Sequence, residues 1–255
     1  MTNHEDRCDE ATPDPVEEHR IPKKSEEGAI AKLLLSISQN FQHGFVDVGA
    51  NLKAELARPF IEQNWNTLLI EPQPHCAANL RVLYADFANV RILQCGCSFE
   101  PGELKLYLGV NKESTEVATF SSRDDPWMNI VRSDDAIAVP VDTLTAILCR
   151  EAFPNEFGIL KIDTESWDYN VLRGLNFNEF RPAAIVTEEY LWDVESTIAK
   201  HLMLEENGYV NIHRRHGARW SALVLRDWLS DIGRYPTAMG GAKETTLGRP
   251  PLSEN

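Results

Sequence analysis

Three short segments of this chain combine the pattern of a buried strand with polar chemistry at its carboxyl end. Residues 45–51 are an apolar run that ends in the Gly49 turn, and a second run ends in Glu71, 22 residues after that glycine. A third run ends in Asp163 and Glu165. In an open α/β sheet, small molecules bind beyond the carboxyl ends of the strands, and a carboxylate after the second strand suits the two hydroxyls of a ribose. The three segments therefore predict one pocket for a nucleoside-containing ligand.

Strands and helices alternate through the middle of the chain, which predicts an α/β fold with a doubly wound, mostly parallel sheet. The expected strands are residues 45–50, 67–71, 90–95, 158–163 and 183–189. The expected helices are residues 55–64, 74–85, 143–151, 166–175 and 195–207. Residues 209–213 and 220–226 are expected to form a C-terminal antiparallel hairpin, because so short a connection cannot cross over.

The pattern of apolar residues makes further predictions about packing. An amphipathic helix that covers the sheet is expected from Ile30, Leu33, Leu34 and Ile37, and the helix at 195–207 carries a stripe of Val194, Ile198 and Leu202. Alternation of Leu104, Leu106 and Leu108 with polar residues is typical of an exposed strand. The rest of the region 103–141 is either a substrate-covering insertion or a decorative surface loop.

Composition sets the organisation of the chain and the partners that it favours. Residues 1–28 are predicted to form a disordered or loosely attached acidic arm, residues 29–230 the folded domain and residues 231–255 an irregular tail. The formal net charge of −14 argues against nucleic acid or an anionic membrane as a partner. No apolar run is long enough to span a bilayer, so we expect a cytoplasmic protein. The five cysteines are expected to be reduced thiols, not a disulfide or zinc framework.

Four motifs in one order resemble the FkbM family of S-adenosylmethionine (SAM)-dependent O-methyltransferases. They are residues 45–51, 70–74, 141–144 and 160–174. The resemblance implies a Rossmann-like class I methyltransferase fold, with a seven-stranded sheet that ends in the antiparallel hairpin. It also implies SAM as the cofactor. The implied cofactor-binding residues are Asp47, Gly49, Ala50, Asn51, Glu71, Pro72, Gln73, Cys97, Ser98 and Asp163.

The chain departs from the family pattern at three positions. Lys53 stands where the family usually has a second glycine, and it could either pair with the carboxylate of the cofactor or obstruct the site. Pro59 falls inside the expected first helix, so that helix should be short, shifted or kinked. Ser166 replaces the glycine that usually follows the Asp-x-Glu sequence.

Methyl transfer to a hydroxyl needs a base that accepts the hydroxyl proton. The candidates are Asp163, Glu165 and Glu188, although Glu165 could equally serve the N-terminus of the following helix. The same carboxylates could bind Mg²⁺, but nothing in their spacing demands it, and we predict no metal. Trp127 and Glu189 are the candidates for contact with the acceptor.

We therefore expect a methyltransferase that acts on a hydroxyl of a small molecule, such as a sugar or a secondary metabolite. One alternative is a non-catalytic SAM-binding or regulatory module of the same fold, for which Lys53 is the main argument. A less favoured alternative is an NAD-linked oxidoreductase, because residues 49–51 lack the glycines that let a backbone approach a pyrophosphate. The sequence makes no prediction about the oligomeric state.

Overall fold

The computed structural model describes residues 23–109, 118–122, 132–190, 193–213 and 220–227. Its α-helices are α1 (Lys23–Ile37), α2 (Arg58–Ile61), α3 (Pro74–Leu83), α4 (Leu144–Arg150), α5 (Asp168–Arg173) and α6 (Val194–Glu206). Its strands are β1 (Gly44–Val48), β2 (Asn66–Ile70), β3 (Val90–Leu93), β4 (Gly96–Ser98), β5 (Gly102–Gly109), β6 (Arg132–Thr143), β7 (Glu156–Ile162), β8 (Arg181–Glu188), β9 (Tyr209–His213) and β10 (Trp220–Leu225).

The main sheet has seven strands in the order β3-β2-β1-β7-β8-β10-β9. The first five strands in this order pair in parallel, and β10 pairs antiparallel with both β8 and β9. The predicted α/β class, the mostly parallel sheet and the C-terminal hairpin are confirmed. Because β1 and β7 pair directly and in parallel, their carboxyl ends are neighbours.

Helices cover both faces of this sheet, which explains why its central strands are apolar along their length. Every residue of β1 is buried. On one face Ile30 and Leu34 of α1 are fully buried against the sheet, as their helical spacing predicts. On the other face the core includes Leu144 of α4 and Leu172 of α5. Parallel strands that are buried on both faces are the expected result of this arrangement.

The helix after the first strand is short, as Pro59 predicts. The expected helix at residues 55–64 is reduced to α2, which begins at Arg58 and places Pro59 in its first turn. A proline is tolerated there, because the N–H groups of the first turn have no partner within the helix.

The predicted packing face of α6 is wrong. Val194, Ile198 and Leu202 are 54–56% exposed, whereas Leu204 and Lys200 are buried. The helix therefore turns its apolar stripe outward. The physical reason is that the ammonium of Lys200 finds hydrogen-bond acceptors at the end of β8, namely the Thr187 hydroxyl and the Glu188 carbonyl.

A second, three-stranded sheet in the order β4-β6-β5 is built from the region that interrupts the alternation. The strand predicted around Leu106 exists as β5, but the expectation that it is exposed is wrong. Leu106 is 1% exposed and packs with Phe120, Val139 and Val141. The alternation of leucine with polar residues in β5 therefore corresponds to a strand with one face packed in this small second core.

The domain boundaries stay predictions, since residues 1–22 and 228–255 lie outside the described residues. The helix α1 begins at Lys23, inside the segment assigned to the N-terminal arm. Among the described residues, no helix combines the length and the apolar character needed to cross a bilayer.

Candidate active site

The turn after β1 is the structural centre of the site. Gly49 has a φ of +82°, and a Cβ atom at this position would lie 1.9 Å from the carbonyl oxygen of Asp163. The Gly49 N–H donates to the carbonyl of Ile70 at 2.9 Å. Only glycine combines this left-handed backbone with so close an approach. The turn therefore brings the carboxyl ends of β1, β2 and β7 together.

Glu71 follows β2 and is fixed by two backbone donors. Its Oε2 accepts from the Asn51 N–H and its Oε1 from the Gln73 N–H, both at 2.8 Å. The residue is only 3% exposed. Burial raises the pKa of Glu71 to about 7, although both hydrogen bonds oppose this rise. The carboxylate is thus held rigidly at the edge of the sheet, as the sequence predicts.

Lys53 and Ser166, two of the positions that depart from the family pattern, lie near the ends of the strands. Lys53 is exposed and does not line the cleft, so its side chain does not obstruct the Gly49 turn. Nearby, Asn51 and Ala54 adopt the left-handed backbone, with φ values of 53° and 48°. Ser166 has a φ of 72°, which explains why glycine suits that position better.

Lys161 was missed by the sequence analysis, although it lies behind this turn. Its Nζ donates to the Gly49 carbonyl at 2.7 Å and lies 2.9 Å from Asp47 Oδ1 and 3.6 Å from Asp163 Oδ2. Burial alone would lower the pKa of Lys161, but the charges of Asp47 and Asp163 outweigh it and raise the pKa. The ammonium therefore stays charged. A single lysine within a buried apolar strand was the available signal, because lysine is almost never buried without a partner.

Three predicted catalytic carboxylates converge. Asp163 at the end of β7, Glu165 and Glu188 each place one carboxylate oxygen within 4.8 Å of the other two. Glu165 and Glu188 are 8% and 0% exposed. Tyr190 donates its hydroxyl to Glu188 Oε2 at 2.9 Å. Such a group can accept a proton, and its spacing would also suit a divalent cation.

The loop that carries Asp163 and Glu165 is held in place by hydrogen bonds to Asp168. Asp168 Oδ1 accepts from the Thr164 N–H at 2.9 Å and from the Thr164 hydroxyl at 2.6 Å. Its Oδ2 accepts from the Thr187 hydroxyl at 2.7 Å. Because Asp168 opens α5 and the N-cap of that helix is Trp167, Glu165 lies outside the cap position. Glu165 is therefore not the N-cap residue of α5.

These elements enclose one cleft with an empty volume of about 540 Å³, open solvent included. Most of the predicted cofactor residues and two of the three predicted bases, Asp163 and Glu165, line it: Gly49, Asn51, Glu71, Pro72, Gln73, Cys97, Asp163 and Glu165. The other described candidates do not line it: Asp47, Ala50, Ser98, Glu188 and Glu189. Trp127 lies outside the described residues.

The carboxylate of Glu189 contacts a side chain of α6. Its Oε1 lies 2.8 Å from His201 Nε2, and this contact takes its carboxylate away from the cleft lining. Burial raises the pKa of Glu189. The hydrogen bond with His201 and the nearby charge of Lys200 lower it, and the net result is a lowered pKa. The geometry thus gives Glu189 a partner in α6 that its sequence position did not predict.

An apolar wall of the cleft was also missed. Leu106, Ala118 and Phe120 come from the region of the three-stranded sheet and line the cleft opposite the ends of the parallel strands. A Cβ atom at Gly96 would lie 2.5 Å from the ring of Phe120, so the ring packs directly on that glycine. The alternating leucines are the signal that the sequence offers for this wall, but their pattern predicts an exposed strand. The described part of this region therefore contributes to the lining of the cleft.

The strand order, with one reversed strand beside the edge and a cleft at the ends of the parallel strands, defines a Rossmann-like class I methyltransferase fold. A family profile described as the methyltransferase FkbM domain matches residues 47–210. This match covers more than half of the chain, and the chain belongs to the FkbM methyltransferase family.

Solved structures with a similar fold have low sequence identity. The methyltransferase FkbM from Methylobacillus flagellatus KT is 15% identical, with a TM-score of 0.46, over 71% of this chain and 42% of that chain. This chain thus spans less than half the length of the Methylobacillus protein. Precorrin-6y C5,15-methyltransferase from Geobacter metallireducens GS-15 is 12% identical, with a TM-score of 0.42, over 77% of this chain and 87% of that chain. A comparison with curated proteins found no match.

Proposed function

We propose that this chain is a SAM-dependent methyltransferase that transfers a methyl group to a hydroxyl of a small molecule, such as a sugar or a secondary metabolite. The observation that carries the proposal is the placement of Glu71 between the N–H groups of Asn51 and Gln73, in the same cleft as the Gly49 turn. An ionised carboxylate has about four lone-pair sites, so two remain for the hydroxyls of a ribose. Membership of the FkbM family supports methyl transfer.

The chemistry of the cleft fits this cofactor. Among the described residues that line it are three carboxylates and no lysine, arginine or histidine. SAM carries positive charge on its sulfonium and ammonium groups, which carboxylates in a shielded cleft attract. We assign the methionyl part to the turn formed by Asp47, Gly49, Ala50 and Asn51. We assign the adenosine part to Glu71, Pro72, Gln73, Cys97 and Ser98.

Bound SAM supplies a methyl group that an oxygen nucleophile can take by in-line displacement. The protein must hold the acceptor hydroxyl in line with that methyl group, and such positioning supplies much of the acceleration. We assign proton acceptance from the hydroxyl to the group of Asp163, Glu165 and Glu188. Closely spaced carboxylates favour uptake of a proton by one of them, which suits a base.

The acceptor side of the cleft favours a small molecule. Leu106 and Phe120 offer an apolar wall. The net charge of −14 disfavours a polyanionic substrate such as nucleic acid. We keep Trp127 and Glu189 as acceptor contacts to be tested.

Mass spectrometry of the purified protein for co-bound SAM or its demethylated product, together with calorimetric titration of SAM and of NAD, tests the cofactor. Binding of SAM but not NAD is the expected result. Binding of NAD alone would favour an oxidoreductase. Binding of SAM without methyl transfer to any member of a panel of sugars and hydroxylated metabolites would favour the non-catalytic module.

Asp163→Asn tests the assignment of the base on an acceptor from that panel. Turnover should fall about 100-fold to 10,000-fold, because the amide cannot accept the proton. SAM affinity should change less than turnover. Asp135→Asn is the matched control, since Asp135 is exposed on β6. Equal turnover of Asp163→Asn and the parent protein would remove Asp163 from this role.

A further inference from the structure

The side chain of Lys161 joins the turn after β1 to the loop after β7. It is 6% exposed, and its ammonium contacts the Gly49 carbonyl at 2.7 Å and Asp47 Oδ1 at 2.9 Å. On its other side Asp163 Oδ2 lies 3.6 Å away. Gly49 and Asp163 both line the cleft, whereas Lys161 does not. The ammonium thus lies outside the cleft and contacts Gly49 and Asp163, two residues that the cofactor would contact.

A buried ammonium in this place calls for an explanation beyond packing. Removing an ammonium from water is expensive, and apolar side chains of similar volume often stabilise a fold as well or better. Ile159, which lies two residues earlier in β7 and therefore on the same face as Lys161, is fully buried and apolar, so this face of the strand accommodates apolar side chains. The hydrogen bond and the ion pairs of the Lys161 ammonium are instead with oxygen atoms of the Gly49 turn and of Asp163 and Asp47.

Four carboxylates surround this ammonium electrostatically. They are Asp47 of β1, Asp163 after β7, Glu27 of α1 and Glu71 after β2. Lys161 is therefore the ion-pair partner of Asp47 and Asp163, and it also interacts electrostatically with Glu27 and Glu71. Without it, these groups would repel each other, and the Gly49 carbonyl would lose its donor.

We propose that Lys161 is a positioning residue for the cofactor, which fixes the Gly49 turn and the Asp163 carboxylate relative to each other so that both can contact SAM. This inference rests on the proposed function, since it concerns how the chain binds SAM. Lys161 makes no contact with the cofactor in this arrangement. It acts through the hydrogen bond to Gly49 and the ion pairs with Asp47 and Asp163.

The test is calorimetric titration of SAM into the full chain that carries Lys161→Met, at several pH values between 6 and 8.5. Methionine keeps the length of the side chain and removes its charge and its donors. SAM affinity should fall by about tenfold to a hundredfold, the range expected when charged hydrogen bonds are lost. Lys53→Met is the matched control, because it removes an exposed ammonium near the same turn. Its SAM affinity should stay within about twofold of the parent value.

The pH profile separates positioning from a merely structural role. In Lys161→Met, Asp47 and Asp163 lose their counter-ion, so one of them takes up a proton that a cationic cofactor must displace. The SAM affinity of this variant should therefore rise more steeply with pH than that of the parent. A structural role would lower the melting temperature and the folded fraction but leave the pH profile of the folded protein unchanged.

The double variant Asp47→Asn/Lys161→Met keeps the test decisive if Lys161→Met does not fold, because it removes both charges of the more buried ion pair, that of Lys161 with Asp47. It should also bind SAM at least about tenfold more weakly than the parent protein. Parent-like affinity and pH profile in a folded variant without Lys161 would overturn this inference alone. Absence of SAM binding by the parent protein would instead overturn the proposed function, and the inference with it.

Discussion

Glu71→Gln should weaken cofactor binding without weakening the fold. Burial raises the pKa of Glu71 from 4.5 to about 7. Ionised Glu71 therefore costs the folded protein about 3 kcal/mol at pH 7 and above. Because the folded chain holds this proton more tightly than the unfolded chain, the stability that Glu71 contributes falls as the pH rises from about 4.5 to about 7. A neutral glutamine avoids this cost.

Glutamine has its own cost at this position. Its single oxygen can accept from only one of the two backbone donors, Asn51 or Gln73, and its amide would face the other N–H. An unsatisfied buried donor costs about 1–3 kcal/mol. At pH 8 and without ligand, the free energy of unfolding of the variant should therefore exceed that of the parent protein by about 0–2 kcal/mol. Denaturant unfolding measures this difference.

The parent protein and Glu71→Gln should differ clearly in their affinity for SAM. The ribose hydroxyls donate to an ionised carboxylate in the parent and to a neutral amide oxygen in the variant, so SAM affinity at pH 8 should fall by about tenfold to a hundredfold. In the parent protein, affinity should also fall about tenfold for each pH unit below about 7, because the proton must leave Glu71 first. This dependence should be absent in Glu71→Gln.

Calorimetric titration of both proteins between pH 6 and 8.5 decides the matter. Equal SAM affinity at pH 8, together with the same pH dependence in both proteins, would remove Glu71 from the ribose site. A ligand-free variant that is less stable than the parent by several kcal/mol at pH 8 would refute the energetic argument, even if SAM binding were weakened.

Three further predictions follow from the geometry. Gly49→Ala should weaken SAM binding at least about tenfold in calorimetry, because alanine at a φ of +82° costs about 1–2 kcal/mol and its Cβ would displace the Asp163 carbonyl. In α6, Leu204→Ala should lower the free energy of unfolding by about 2–5 kcal/mol, whereas Leu202→Ala should change it by less than about 0.5 kcal/mol. Equal denaturation midpoints would contradict the observed packing face. Lys53→Gly should leave SAM affinity within about twofold, and a large gain would mean that this lysine hinders the cofactor.

Local sequence features were enough to locate the ends of the strands and the polar groups that follow them. Gly49 and Glu71 were identifiable because a buried strand, a turn and a following carboxylate are local features with a fixed order. The shortened α2 followed equally from one residue, since Pro59 restricts its own backbone and that of its neighbour. The order of the motifs also fixed the family, which the match over residues 47–210 confirms.

The apolar pattern alone was not enough where polar groups or a second core decided the packing. The stripe of Val194, Ile198 and Leu202 predicts a buried face, yet α6 turns Lys200 inward. A lysine can do so only when acceptors lie within reach of its ammonium, and those acceptors come from β8. In the same way, Leu106 is buried because it packs with Phe120, Val139 and Val141 in the second core.

The tertiary structure also decided which charges meet. Lys161 and Asp47 lie more than one hundred residues apart in the chain, and only the parallel pairing of β1 with β7 makes them neighbours. The approach of Glu188 to Asp163 depends likewise on the pairing of β7 with β8. Local sequence fixes backbone conformation and hydrogen-bonding groups, but the energy of a buried charge depends on partners that only the folded sheet brings close.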